Sequence, residues 1–156
     1  MRVIYHGPHR KEELDKTGVE YAENIDDLLR ESDFVVLTCP LTPGTRGLIK
    51  LRELRLMKKT AILVNIARGP VVCTDDLVAA LKDGIIGGAA LDVTDPEPLP
   101  ADHPLCSLKN CTLCSHIASA TVPTRATMSL ISAQAIVDCL GGKRIKFCAN
   151  PDVYNA

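Results

Sequence analysis

The sequence contains no tryptophan, and aromatic residues make up only 3% of its 156 positions. It also lacks an excess of either charge, because 18 lysine and arginine residues face 19 acidic residues and leave a formal net charge of −1. This balance argues against a surface that binds nucleic acid. No apolar run reaches the roughly 20 residues that cross a bilayer, and Met1 does not open a charged and then apolar leader. We therefore expect neither a nucleic-acid partner nor a membrane partner.

Seven cysteines are spread through the apolar runs of the sequence. An odd number in this arrangement favours free thiols in a reducing compartment over a disulfide framework, which predicts a cytoplasmic protein. Hydrophobic residues make up 46% of the chain, and 156 residues are enough for one domain with a buried core.

Short apolar runs alternate with helix-like segments along the chain. Strands are predicted over residues 2–6, 19–21, 34–38, 61–66, 87–91 and 111–114. Helices are predicted over residues 11–17, after a cap at Asn24, over 51–57, from a cap at Thr74 to Gly84, and over 123–139. This alternation predicts an α/β fold with a doubly wound parallel sheet. The continuous apolar run 34–38 is typical of a strand covered on both faces.

Three polar segments each begin where an apolar run ends, and they read NIARGPVV, LDVTDPEPLP and SHIASAT. Ligands of an open α/β sheet lie outside the carboxyl ends of its strands. We therefore expect the charged side chains of these segments to converge on one crevice: Arg68, Asp92, Glu97 and His116. An arginine, a carboxylate and a histidine together can transfer a proton to an anionic substrate. Gly69 beside the arginine permits a close approach of backbone.

These three segments, in this order and spacing, resemble the D-2-hydroxyacid dehydrogenase family, most closely its glyoxylate/hydroxypyruvate reductase branch. The likeness covers nearly the whole chain, including FVVLTCPLTPGTRGLI and GAALDVTDPEPLPADHPL. It implies a Rossmann-like sheet that is incomplete at its N-terminal end, with residues 2–6 as its second strand. The first strand, the Gly-x-Gly-x-x-Gly turn and the substrate domain of the family are not found in the sequence. Residues 1–142 would then form a partial dinucleotide-binding domain and residues 143–156 a C-terminal tail.

The resemblance implies that the chain reduces a small 2-oxo acid to the D-2-hydroxy acid by hydride transfer from a nicotinamide cofactor. Arg68 would bind the substrate carboxylate, Glu97 would orient the imidazole, and His116 would donate the proton. Each residue also has a simpler interpretation. Arg68 could be a loop arginine bonded to a helix end or to solvent, Glu97 a solvated loop glutamate, and His116 a histidine satisfied by hydrogen bonds at a strand end.

Further residues would contact the cofactor or the substrate by the same resemblance. Ile66, Asp92 and Ala118 would lie near the nicotinamide, Pro40 and Thr45 would flank the cofactor, and Ser119 would contact the substrate. The sequence departs from the family at two positions, because the family usually has glycine where Ala118 stands and proline where Ser115 stands.

The turn after the first apolar run bears on the choice of cofactor. Enzymes that use NAD commonly place an acidic residue there to hold the ribose hydroxyls. Here Gly7 is followed by His9 and Arg10, and no acidic residue occurs before Glu12. A small residue followed by basic groups suits a 2′-phosphate, which predicts NADP, with NAD as the alternative cofactor. An ordinary basic turn is the competing interpretation.

Other functions remain open. Cys111 and Cys114 have the C-x-x-C spacing of zinc ligands. Positions i and i+3 of a strand point to opposite faces, so we expect no metal site. The chain could instead be a catalytically inert product, because the glycine turn that would bind the pyrophosphate is not found in the sequence. It could also be a nucleotide-sensing binding module. Complete family members are homodimers, and the resemblance leaves the pairing of this chain open.

Overall fold

The alternating pattern of the sequence folds into parallel strands and helices in the computed structural model, which describes residues 1–155 apart from the side chain of Asp15. Strands β1 to β6 span Ile4–Tyr5, Glu20–Tyr21, Phe34–Leu37, Ile62–Asn65, Gly88–Leu91 and Cys111–Leu113. Helices α1 to α5 span Glu12–Asp15, Ile25–Glu31, Leu51–Leu56, Thr74–Lys82 and Val122–Leu140. Short 3-10 turns lie at Gly69–Val71, Pro104–Ser107 and Pro151–Tyr154.

The strands form two parallel sheets. Strand β1 pairs with β2, and the larger sheet has the order β3-β4-β5-β6. This confirms the prediction of a doubly wound α/β fold. In the strand order 3-2-1-4-5-6 of that fold, β2 and β1 correspond to strands 3 and 2, and β3 corresponds to strand 4. No described residue forms strand 1, which is central in this order, so the sheet is incomplete as expected.

Strand β3 is buried on one face only. Its inward residues Val35 and Leu37 are 4% and 7% exposed, whereas Phe34 and Val36 are 63% and 52% exposed. The buried core joins β3, β4 and β5 to leucines of α2, α3 and α4. The prediction that residues 34–38 are covered on both faces is therefore wrong, because the second face of this edge strand is exposed at Phe34 and Val36.

Two predicted helix caps differ in their outcome. Asn24 caps α2 as predicted, and its side chain accepts a hydrogen bond from the backbone N–H of Asp26 at 2.9 Å. Thr74 does not cap α4, because Cys73 holds the cap position and Thr74 is the first helical residue. Its hydroxyl instead donates to the carbonyl oxygen of Asp95 at 2.9 Å. This bond ties the start of α4 to the loop that carries Glu97.

The chain divides into two compact units, Met1–His116 and Ile117–Ala156. The second unit contains α5, which Thr121 caps by accepting from the backbone N–H of Thr124 at 3.3 Å. No residue of α5 is buried. Among the described residues, no helix combines the length and the apolar character needed to span a bilayer. The predicted domain boundary at residue 142 falls inside the second unit and stays a prediction.

Candidate active site

The carboxyl ends of β4, β5 and β6 lie side by side and bring the three polar segments to one edge of the sheet. Backbone hydrogen bonds continue across this edge beyond the strands. The N–H of Asp92 donates to the carbonyl oxygen of Asn65 at 3.0 Å, and the N–H of His116 donates to the carbonyl oxygen of Asp92 at 2.9 Å. Parallel pairing thus brings residues from distant parts of the sequence into neighbouring positions.

Glu97 and His116 are in direct contact. The imidazole Nδ1 lies 2.7 Å from Oε1 of Glu97 and donates to it, since a carboxylate can only accept. The other carboxylate oxygen, Oε2, accepts from the backbone N–H of Thr94 at 3.2 Å. The side chains are 45% exposed for His116 and 40% exposed for Glu97, so a small solute can reach both.

The hydrogen bond with His116 holds the pKa of the Glu97 carboxyl below its ordinary value. The Thr94 N–H and the positive charge of Arg68 also lower this pKa. Burial raises it, but by less than the hydrogen bond with the imidazole lowers it. The carboxylate is therefore ionised near neutral pH. A fixed negative charge at Nδ1 favours the tautomer that keeps its proton there.

His116 adopts a left-handed backbone conformation, with φ of 57°. Among the described residues it is the only one other than glycine with a positive φ. Such a conformation costs a non-glycine residue about 1–3 kcal/mol and is retained where surrounding contacts enforce it, often at functional sites. Here the backbone bond to Asp92 and the side-chain bond to Glu97 hold the residue at both ends.

Arg68 lies in the loop after β4, and its side chain is exposed. Its Nη1 donates to the carbonyl oxygen of Ala67 at 2.6 Å. The loop is supported from below by Asn65, which is 1% exposed. Sequence reasoning misses Asn65, although a polar residue that closes an apolar run was a signal for it.

Gly69 lets the Arg68 loop touch the loop that carries Glu97. A Cβ atom built on Gly69 would lie 1.9 Å from the carbonyl oxygen of Thr94 and 2.7 Å from the backbone nitrogen of Asp95. No side chain fits there, so the prediction that this glycine permits a close backbone approach is confirmed. The two loops form a single support for Arg68 and Glu97.

Pro40 and Thr45 lie in the loop after β3, and their predicted contact with a cofactor stays a prediction. The Thr45 hydroxyl donates to the carbonyl oxygen of Pro40 at 2.6 Å and accepts from the backbone N–H of Thr42 at 2.8 Å. Ile66 follows β4 with 43% of its surface exposed, whereas Asp92 is buried at 8% exposure.

His9 and Arg10 are exposed in the turn after β1. Ala118 and Ser119 belong to the second unit, where the N–H of Ala120 closes a turn onto the carbonyl oxygen of Ile117 at 2.8 Å. The predicted cofactor and substrate contacts of these four residues also stay predictions.

The described residues contain no group of three or more histidine, cysteine or acidic side chains arranged to hold a metal ion. Cys111 is half-buried and Cys114 is exposed. Burial raises the pKa of the Cys111 thiol to about 11. This thiol is therefore protonated near neutral pH.

A family model matches residues 1–118, and it describes the NAD binding domain of D-isomer specific 2-hydroxyacid dehydrogenases. The chain belongs to the D-isomer specific 2-hydroxyacid dehydrogenase family. This confirms the resemblance drawn from the three polar segments. It also confirms the class of cofactor, because the matched domain of these dehydrogenases binds a nicotinamide dinucleotide. The choice between NADP and NAD stays a prediction.

Named relatives extend the match to most of the chain. The glyoxylate reductase of Aeropyrum pernix is 51% identical over 144 residues, which cover 92% of this chain and 43% of that protein. The human glyoxylate reductase/hydroxypyruvate reductase is 47% identical over 144 residues, covering 92% and 44%. A crystal structure of D-lactate dehydrogenase with NAD+ from Lactobacillus jensenii superposes with a TM-score of 0.87 at 29% identity, covering 95% and 48%. The chain thus spans less than half the length of these relatives.

Proposed function

We propose that this chain carries the proton-transfer and carboxylate-binding residues of a reductase for small 2-oxo acids, such as glyoxylate or hydroxypyruvate, with a D-2-hydroxy acid as product. The observation that carries the proposal is the 2.7 Å contact between His116 Nδ1 and Glu97 Oε1 beside the Arg68 loop. Relatives named glyoxylate reductase, at 51% and 47% identity, support the choice of substrate.

Arg68 is proposed to bind the substrate carboxylate. A guanidinium presents a planar fork of five donors that matches a carboxylate with two parallel hydrogen bonds. One donor of Arg68 is directed to the carbonyl oxygen of Ala67, which anchors the side chain at the sheet edge. The remaining fork is proposed to fix the orientation of the keto acid.

His116 is proposed to donate a proton from Nε2 to the keto oxygen. Glu97 holds the Nδ1 proton and stabilises the imidazolium before transfer. In the reverse direction the neutral ring accepts the hydroxyl proton at the same atom.

The nicotinamide cofactor supplies the hydride when it is bound. The exposed side chain of Ile66 is an apolar surface suited to one face of the nicotinamide ring, and it lies two residues from Arg68. His9 and Arg10 are proposed to contact a 2′-phosphate, which favours NADP over NAD. Replacing Arg10 by alanine should then weaken NADPH more than NADH in a fluorescence titration, and equal effects on both would contradict the NADP assignment.

The reductase is tested by the rate of NADPH oxidation with hydroxypyruvate, using the wild-type chain, His116→Gln and His103→Gln. General acid–base catalysis contributes about 100-fold or more, so His116→Gln should lose at least that factor. His103 is a matched control, because its ring accepts from the backbone N–H of Leu105 at 3.2 Å, away from Glu97. A wild-type chain that binds NADPH without oxidising it would contradict the proposal.

A protein that keeps these residues without turnover is the second candidate. In such a protein residues 1–156 would hold Arg68, Glu97 and His116 in place without binding the pyrophosphate, which a Gly-x-Gly-x-x-Gly turn binds through its N–H groups. Titration with NADPH separates the two. Absence of binding at millimolar NADPH favours the inert form, and binding without turnover favours a nucleotide sensor.

The location proposed for this protein is the cytoplasm. None of the seven cysteines, all within the described residues, forms a disulfide. Free thiols support a reducing compartment.

A further inference from the structure

A buried asparagine supports the loop that carries Arg68. Asn65 is the last residue of β4, and only 1% of its surface is exposed. A buried amide is costly unless its oxygen and its nitrogen both find partners. The Oδ1 atom accepts from the backbone N–H of Ala67 at 3.0 Å, and Nδ2 donates to the carbonyl oxygen of Arg68 at 3.0 Å.

The two side-chain bonds enclose the peptide unit that joins Ala67 to Arg68. One bond fixes the N–H before this unit and the other fixes the carbonyl after it. Arg68 is held in an extended conformation, with φ of −146° and ψ of 147°. The carbonyl oxygen to which its own Nη1 donates, that of Ala67, lies inside the same braced segment.

The backbone of Asn65 faces the other half of the site. Its carbonyl oxygen accepts from Asp92, whose carbonyl oxygen accepts from His116. Two further bonds therefore connect the residue that braces Arg68 to the backbone of the imidazole. Displacement of Asn65 would change the separation between the carboxylate-binding group and the proton donor.

We propose that Asn65 is a positioning residue that fixes Arg68 for the substrate carboxylate, an inference that rests on the proposed function. Only a short side chain with one acceptor and one donor satisfies both backbone groups from the end of the strand. Alanine leaves the Ala67 N–H without a partner, and it leaves the Arg68 carbonyl with only the bond from the N–H of Val71 at 3.2 Å. Aspartate keeps the acceptor but turns an oxygen towards the carbonyl of Arg68.

A double-mutant cycle tests this role. The dissociation constant of oxamate, a 2-oxo acid analogue that is not reduced, is measured in the presence of NADPH for the wild type, Asn65→Ala, Arg68→Ala and the double variant. Because Asn65 acts through Arg68, Asn65→Ala should weaken oxamate about tenfold and leave NADPH binding within about twofold of the wild type. It should add no further loss in the Arg68→Ala background.

Asn110→Ala is the matched control. Asn110 also donates from Nδ2 to a backbone carbonyl, that of Leu81 at 3.0 Å, but it precedes β6 at the opposite end of the sheet. Its replacement should leave the oxamate affinity unchanged. If Asn65→Ala does not fold, as judged by circular dichroism, Asn65→Ser repeats the cycle with one hydroxyl left in the buried position.

The outcomes separate this inference from the proposed function. If Asn65→Ala weakens oxamate binding equally in the wild type and in Arg68→Ala, the positioning role is overturned. Equal weakening of oxamate and NADPH binding by Asn65→Ala would also overturn it. A non-additive cycle in a chain that does not reduce hydroxypyruvate would support the positioning role and overturn the reductase. A wild type that binds NADPH but no oxamate would overturn both.

Discussion

Replacing Glu97 by glutamine removes one negative charge at the imidazole while keeping the shape of the side chain. Glutamine can still accept from Nδ1 of His116 through its amide oxygen. The change therefore keeps an acceptor at the 2.7 Å contact and removes its charge-assisted part, while the backbone N–H of Thr94 loses its acceptor. The ring loses the charge that orients its Nδ1 proton and balances the imidazolium, and we expect slower proton transfer to the keto oxygen.

The magnitude follows from the exposure of the pair. A hydrogen bond to a charged group contributes about 1.5–3 kcal/mol. The side chains are 45% and 40% exposed, so solvent screening favours the lower end of this range. A loss of about 1.5 kcal/mol, the lower end, corresponds to slightly more than a tenfold decrease in kcat/KM.

The assay is kcat/KM for NADPH-dependent reduction of hydroxypyruvate across the pH range. The decrease should lie mainly in kcat, because Glu97 acts through the imidazole of His116. Asp95→Asn is the matched control, since it removes the same charge from the same loop, where Asp95 contacts Thr74 through its backbone carbonyl. A Glu97→Gln variant within twofold of the wild type, or one no slower than Asp95→Asn, would refute the reasoning.

Three further predictions follow from the same geometry. Arg68→Ala should raise KM for the keto acid and lower kcat together, and an unchanged KM would remove its carboxylate-binding role. Gly69→Ala should lower the melting temperature strongly, because its Cβ would lie 1.9 Å from the Thr94 carbonyl oxygen, whereas Gly44→Ala, with its nearest contact at 3.9 Å, should not; equal melting temperatures would contradict the close approach. The pKa of Glu97 is lowered in the folded protein, so the stability that its charge contributes is present above the ordinary pKa of a glutamate and is lost as the pH falls through the folded value. Glu97→Gln should therefore make the loss of stability at acidic pH less steep, and identical pH dependence of unfolding in the two proteins would contradict this.

Element type could be predicted from the sequence because apolar periodicity and capping residues act locally. The cap at Asn24 is of this kind, since its bond reaches a residue two positions away. Thr74 differs because its hydroxyl bonds to Asp95, 21 residues later. That tertiary partner is not visible in a local pattern. The exposed face of β3 is likewise a property of what packs over it and not of the apolar run itself.

The residues of the candidate site that follow strand ends could be predicted from the sequence. Glu97 and His116 follow different strands, and parallel pairing together with the family resemblance predicts that they lie at one edge of the sheet. The residues that brace them depend on three-dimensional detail. Asn65 is recognised only by its burial and its two backbone bonds, and Thr94 only by its N–H donated to the Glu97 carboxylate.

The most direct test of the reductase account is the transfer of deuterium from NADPH labelled at its hydride position to hydroxypyruvate, followed by NMR and chiral analysis of the product. The account predicts D-glycerate with deuterium on the former keto carbon, formed by the wild type and by His103→Gln and strongly reduced with His116→Gln. Formation of labelled product at the same rate by His116→Gln, or no labelled product from a wild-type chain shown to bind NADPH, would contradict it.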